Sequence, residues 1–223
     1  MIPKETELSF KDRFVDGLNR NWKVVLIVLG ALVVVMAGFL IMDAVLRSQR
    51  ADSAMLAEDI QDAYVDWSRQ APERRDPGEL DSMIDRALEE FPRQFAAQRA
   101  LFTRGLMALE DEQWESAAES FLAVADSWET SYLAPVSLFN AASALEEAGD
   151  VDGAINAWSR IADEYSDVSP DAPEAIFNLG RLAETAGDIP GAIERYESLA
   201  ARFPQSRWTD LAKSRILVLE GRS

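Results

Sequence analysis

Neither cysteine nor histidine occurs among the 223 residues. Their absence removes the usual zinc sites, thiol nucleophiles, lipid-modified cysteines and His-based general bases together. It leaves the redox compartment open, because a chain without disulfides can live on either side of a membrane. Bases are scarce as well: 22 Lys and Arg face 39 Asp and Glu, a net charge of −17. The deficit is uneven. Residues 1–50 carry seven bases against five acids, +2, whereas residues 51–223 carry 15 against 34, −19. A domain this acidic lacks the basic footprint that phosphate requires, so nucleic acid is not an expected partner. A Gly-rich phosphate loop and a nucleophile–base pair are also missing, and no catalytic residue, metal or cofactor is expected. Glu146-Glu147 and Glu110-Asp111-Glu112 have no ligand pattern around them and read as solvated helix ends or turns.

What the chain does contain begins with an apolar run. Val24 to Met42 is 19 residues without a charge, close at about 1.5 Å per residue to a hydrocarbon core of roughly 30 Å. A cleavable signal has an apolar region of about 7–15 residues ending in small residues. This run is longer and continues into Asp43-Ala44-Val45-Leu46-Arg47, so residues 24–46 are expected to be a retained single membrane anchor. No Cys follows it, which excludes a lipoprotein signal. Lys11, Arg13, Arg20 and Lys23 precede the run, and Arg47 and Arg50 follow it. That bias predicts a cytoplasmic N-terminus and an acidic domain across the membrane. Phe10, Phe14, Leu18 and Trp22 recur every four residues and predict an amphipathic helix within residues 1–23, either interfacial or docked to a membrane partner. Gly30 and Gly38 are too far apart for a GxxxG dimer seam.

Beyond the anchor, the apolar spacing is helical throughout. Leu56, Ile60, Ala63, Tyr64 and Trp67 predict a helix over about Ala51–Arg69. Pro72, Pro77 and Gly78 break it, and a second helix follows from about Glu79 to Phe91. Residues 47–92 therefore make a degenerate hairpin. Residues 93–204 then repeat. Ala117, Ala154 and Ala192 lie 37 and 38 residues apart, each followed four positions later by Phe121, Trp158 or Tyr196. Gly149-Asp150-Val151-Asp152-Gly153-Ala154-Ile155 answers Gly187-Asp188-Ile189-Pro190-Gly191-Ala192-Ile193. In each, the first Gly can end one helix in the left-handed conformation and Asp can cap the next, while the small residues let the two helices approach. The first repeat has Glu110-Asp111-Glu112 at that turn, and a slightly different turn is expected there. Residues 205–223 predict an end helix carrying Trp208, Leu211, Ala212, Ile216 and Leu219, with Arg215 interrupting the stripe.

The offsets of Leu179-Gly180, Ala183, Ala192, Tyr196 and Pro204 resemble a tetratricopeptide (TPR) unit. The longer period, with Ala172-Pro173-Glu174-Ala175 after the linker from Tyr165 to Asp171, resembles the repeats of bacterial envelope proteins such as the outer-membrane assembly factor BamD and the cell-division coordinator CpoB. The layout as a whole is similar to the YfgM family of ancillary Sec-translocon subunits: Arg13-Phe14 through Asn21-Trp22-Lys23, one anchor, a helix of the Ala51-Asp52-Ser53-Ala54 type, then TPRs.

That resemblance implies an all-α fold: a TPR α-solenoid, a right-handed superhelix of helical hairpins, on a single N-terminal transmembrane helix. It implies a non-enzymatic interaction module, chaperone-like or a scaffold, at the periplasmic face of a bacterial inner membrane. The partners would be proteins or peptide segments, such as the Sec translocon or envelope proteins. The alternative is a structural scaffold of an envelope assembly or division complex. By the usual TPR positions, the first helix of each repeat lines an inner groove with Arg99, Phe102, Leu106 and Leu109, then Val136, Phe139, Ser143 and Glu147, then Glu174, Phe177, Arg181 and Glu184. Phe102, Phe139 and Phe177 suit a peptide or helix partner; alternatively, they pack between neighbouring helices. The Asn and Lys pattern by which some TPRs clamp a carboxylate is missing, with Leu106, Ser143 and Arg181 after the family's glycine position. Between Leu106 and Ala201 only Arg160, Arg181 and Arg195 oppose 20 acids, a field that would steer a basic partner or simply solvate an outer face.

Overall fold

A computed structural model of the chain describes residues 21–221. The expected helix through Phe10, Phe14 and Leu18 lies outside these residues. Among the described residues all regular structure is helical. Helix α1 runs Trp22–Ser68, and the boundary between two compact units falls inside it, after Asp52. In the first unit, nearly every large side chain from Trp22 to Leu46 is exposed, on all sides of the helix. Asp43 does not end the helix. Its carboxylate pairs with Arg47 one turn on, 2.5 Å away, which masks the first charge after the apolar run. Among the described residues α1 is the one helix long and apolar enough to cross a membrane.

The second unit begins at Ser53. After the last part of α1, a 3-10 turn at Pro72–Arg74 leads to α2 (Gly78–Glu90). Leu56, Ile60 and Trp67 pack with Leu80, Ile84, Ala87 and Phe91 and with Ala96 and Ala100 of the next helix, forming a first core. The Ser53 hydroxyl accepts from the Ala96 amide at 3.0 Å, satisfying a buried N–H at a helix start. Arg75 closes the corner: it lies 4.6 Å from the Trp67 ring centre and pairs with Glu110 at 3.1 Å.

Three hairpins follow: α3 (Phe95–Glu110) with α4 (Trp114–Ser127), α5 (Leu133–Ala148) with α6 (Val151–Glu164), and α7 (Ala172–Thr185) with α8 (Ile189–Arg202). Helix α9 (Arg207–Glu220) comes last and packs on both α8 and α7. The hairpins share a continuous core in which Ala117, Ala154 and Ala192 are fully buried, as are Phe121 and Tyr196, with Trp158 at 2% exposure. The alanines are small because another helix crosses there. Gly105 and Gly180 serve the same approach from the first helix of each hairpin. A Cβ on Gly180 would stand 2.5 Å from the Tyr196 ring, and one on Gly105 would stand 2.8 Å from Phe121.

The turns explain the repeat motif in detail. Gly149 and Gly187 adopt φ of 80° and 81°, and the Asp150 and Asp188 carboxylates accept from the Gly153 and Gly191 amides at 3.0 Å. Gly153 and Gly191 do not mediate helix approach, contrary to the expectation from sequence: a Cβ on either would collide with the capping carboxylate beside it. The first repeat corrects a second expectation. Glu112 takes the same left-handed position, φ 56°, so the turn is alike in shape but lacks both its Gly and its capping side chain. Glu112→Gly is therefore expected to raise stability by up to about 1 kcal/mol, and Gly149→Ala to lower it by about as much. Urea melts of the two variants against the parent chain check both signs.

Candidate partner-binding groove

The first helices of successive hairpins run at a register of 37–38 residues, which sets Arg99, Val136 and Glu174 in corresponding places, and likewise Leu106, Ser143 and Arg181. The structure distributes these twelve candidates among different tasks. Phe102 is 8% exposed and stands edge-on to Phe121, ring centres 5.3 Å apart. It belongs to the core, and Leu106 and Leu109 pack partly against that core. Phe139 and Phe177 are half-buried: Phe139 stands edge-on to Trp158 at 4.9 Å, and Phe177 lies tilted between Tyr196 and Trp208 at 5.4 and 5.1 Å. Each ring thus rests on the second helix of its own hairpin, Phe177 also on Trp208 of α9, yet keeps part of its surface outside. Val136 and Glu147 are exposed or partly so, Val136 at 37%. Ser143 donates to the Phe139 carbonyl at 3.1 Å. Arg99 donates to Gln61 at 3.0 Å and Tyr132 at 3.2 Å, and forms no ion pair among the described residues.

Arg181 and Glu184 are taken up by inter-repeat latches. The Glu146 carboxylate accepts from the Trp158 indole N–H at 2.8 Å and from the Arg181 guanidinium at 2.7 Å, joining α5, α6 and α7. One repeat later Glu184 accepts from the Tyr196 hydroxyl at 3.3 Å and pairs with Arg215, joining α7, α8 and α9. In the first repeat the corresponding residues are Leu109, Phe121 and Ser143, two apolar side chains and a short uncharged hydroxyl in place of acid, polar-tipped aromatic and base. The sequence reading misses the latch, although a signal is present: Glu146 and Glu184 each stand 12 residues before the aromatic that donates to them, and Leu109 stands 12 before Phe121. Arg215, an interruption of the α9 stripe by sequence, is the partner Glu184 requires.

Burial, and then the Glu184 carboxylate with its hydrogen bond, push the Tyr196 hydroxyl up to about 12, against a smaller opposing effect of Arg215. An unfolded tyrosine titrates at about 10, so the stability tied to protonated Tyr196 is complete below that pH and is lost as pH rises towards 12. Tyr64 and Tyr165 are raised too, chiefly by burial. Urea midpoints are expected to be level near pH 9 and to fall between pH 10 and 12, and Tyr196→Phe is expected to flatten that fall. In the groove itself, burial raises the Glu174 carboxyl, opposed by Arg207.

The wall extends beyond the twelve positions read from sequence. Aligned on buried Ala175, Leu179 and Leu182, α9 places Leu211 opposite Glu174 and Val218 opposite Arg181, both exposed. Val136, Phe139, Phe177, Leu211 and Val218 thus leave apolar surface uncovered across α5, α7 and α9. Beside Val136, a cleft of about 560 Å³ is lined by Tyr132, Pro135, Tyr165 and Val168, with Glu129 and Glu164.

Residues 139–207 match the tetratricopeptide repeat family model. The second unit is an all-helical, TPR-like solenoid. Solved structures agree on the fold: a Podosopora anserina protein described as a putative kinesin light chain with nearly identical TPR-like repeats, and a variant of that same protein, superpose with a TM-score of 0.53. Each is 14% identical, with 79% of this chain and 87% of that chain covered. None of the curated proteins compared with the chain matches it. TPRs are protein–protein interaction modules and generally non-catalytic, and no enzymatic family is indicated.

Proposed function

We propose that this chain is a membrane-anchored interaction subunit whose TPR groove holds other polypeptides at the periplasmic face of a bacterial inner membrane, beside the protein-export machinery. The observation that carries the reading is the uncovered apolar strip from Val136 through Phe139 and Phe177 to Leu211 and Val218, on the helices that TPRs use for recognition. The anchor rests on the charge-free run from Val24 to Met42, the orientation on the basic residues before it. The neighbourhood rests on the resemblance of the sequence layout to the YfgM family of translocon subunits. A reporter fused after Ser223 that works only when exported tests the orientation. Activity there supports the proposal, and a cytoplasmic reporter signal rejects it.

A second reading has one observation in its favour. The Glu146 latch ties the second hairpin to the third and the Glu184 latch ties the third to α9, as suits a rigid scaffold of an envelope assembly or division complex. Stoichiometric co-purification with such a complex, in place of transient capture of clients, would favour it.

A further inference from the structure

The second helix of the first repeat carries a surface that its counterparts lack. Ala118, Leu122 and Ala123 of α4, with Leu145 and Ala148 at the end of α5, line a cleft of about 600 Å³, and Glu115, Glu119, Asp126 and Asp150 supply its carboxylates. None of the twelve groove candidates lines it, nor do Val151 and Ile155 of α6. The space exists because Ala118 and Ala123 are small. The second repeat holds Ile155 and Arg160 at the same places, and the third holds Ile193 and Ser198. One repeat on, Ile155 lines the equivalent cleft with Leu182, Ala186 and Asp188, and its volume falls to about 320 Å³. Leu122, part-exposed, is answered by the polar Ser159 and Glu197.

Charge around this cleft is of one sign. Gly105 to Ser159, a run of 55 residues, holds 11 acids and no Lys or Arg. The bases that reach this run from elsewhere are engaged: Arg75 with Glu110 at 3.1 Å, Arg160 with Asp126 at 2.8 Å and Arg181 with Glu146 at 2.7 Å. Arg104 pairs with Asp85, Arg99 donates to the Tyr132 hydroxyl, which does not line the cleft, and Arg195 lines the next cleft along. Of the four carboxylates at the cleft, Asp126 is thus taken by Arg160, and Asp150 caps α6 through the Gly153 amide. Glu115 and Glu119 form no ion pair among the described residues. They stand one helical turn apart, where like charges repel.

We propose that this cleft seats a segment of another protein that inserts an apolar side chain between α4 and the α5–α6 turn and lays Lys or Arg across Glu115 and Glu119. The cleft falls within the roughly 300–1,000 Å³ of ordinary binding pockets. Its lining of Ala118, Leu122 and Leu145 calls for an apolar group, which fills the room that Ile occupies in the later repeats. A cation over Glu115 and Glu119 ends their repulsion, and the base-free run around them draws such a segment in. The same field repels phosphate, so neither a lipid head group nor nucleic acid is the occupant. The site does not depend on the inner wall proposed above.

The test is to pan the full chain, in detergent micelles, against a displayed library of random peptides of about 12 residues, long enough to cross the cleft extended or helical. Binders are then measured on Ala118→Ile, on Glu115→Gln/Glu119→Gln and, on the inner wall, on Val136→Asp. Ala118→Ile installs the residue that the second and third repeats already hold there, and the charge variant needs no repacking. A class of binders is expected in which an apolar residue stands beside Lys or Arg. Their affinity should fall at least about tenfold with either cleft variant, weaken as salt is raised and be unchanged by Val136→Asp. A library with no binder, or binders all indifferent to both cleft variants, overturns the proposal. Binders lost only with Val136→Asp overturn it while leaving the inner-wall proposal standing. Self-association of the parent chain that Ala118→Ile abolishes overturns it in favour of a second copy.

Discussion

Trp158→Ala is expected to lower the unfolding free energy by about 3–5 kcal/mol, the range for deleting a large buried aromatic. Trp158 has 2% of its surface exposed, faces Phe139 edge-on at 4.9 Å and donates to Glu146 at 2.8 Å. The truncation opens a cavity beneath α5 and loosens the carboxylate that also holds Arg181 of the next hairpin. Because a repeat array is stable only through its neighbour contacts, the damage should spread to α7 and show as faster amide exchange in α5 through α7. Trp158→Phe separates the two contributions. It keeps a ring against Phe139 but removes the indole donor, and about 1–2 kcal/mol is expected to be lost. Equal losses for the two variants, read from urea melts, would mean that packing against Phe139 contributes nothing.

The second large effect concerns the proposed anchor. Val33→Lys combined with Val34→Lys puts two ammonium groups at the middle of the run from Val24 to Met42. At about 2.5–3.5 kcal/mol per charge at a helix centre, insertion should weaken by roughly 5–7 kcal/mol. The expected result is transfer of the protein from the alkali-resistant membrane pellet to the supernatant, with the thermal transition of the repeats unchanged. Persistence of the double variant in the pellet would show that residues 24–46 are not what holds the chain there.

The chain's own internal comparison makes the hairpins legible. Gly149-Asp150 and Gly187-Asp188 are read correctly from sequence because a left-handed turn and a capped helix start are local requirements, met within four residues. Ala117, Ala154 and Ala192 are legible because a helix crossing needs a small residue at a fixed offset. Glu112 is misread for the converse reason. Its left-handed φ of 56° is imposed by the hairpin around it against the preference of its own side chain. The latches are hidden because Arg181 and Glu146 lie 35 residues apart and Arg215 and Glu184 lie 31 apart, so no periodic search pairs them. They remove Arg181 and Glu184 from the pool of free groove charges. In sequence, the Asp210 and Lys213 of α9 suggest a plain end cap; its register against α7 adds Leu211 and Val218 to the inner wall.

Where a partner touches the repeats is the point on which the groove stands or falls. A photo-crosslinking residue placed in turn at Val136, Leu211 and Val218 on the inner wall, and at Val151 and Ile155 on α6, can be activated in intact cells that make the protein. All five positions are exposed, so folding is not at issue. Adducts with export or envelope proteins are expected from the three inner positions and none from the two on α6. Silence at the inner wall, or the same adducts from both sets, would refute a partner-binding groove on that wall.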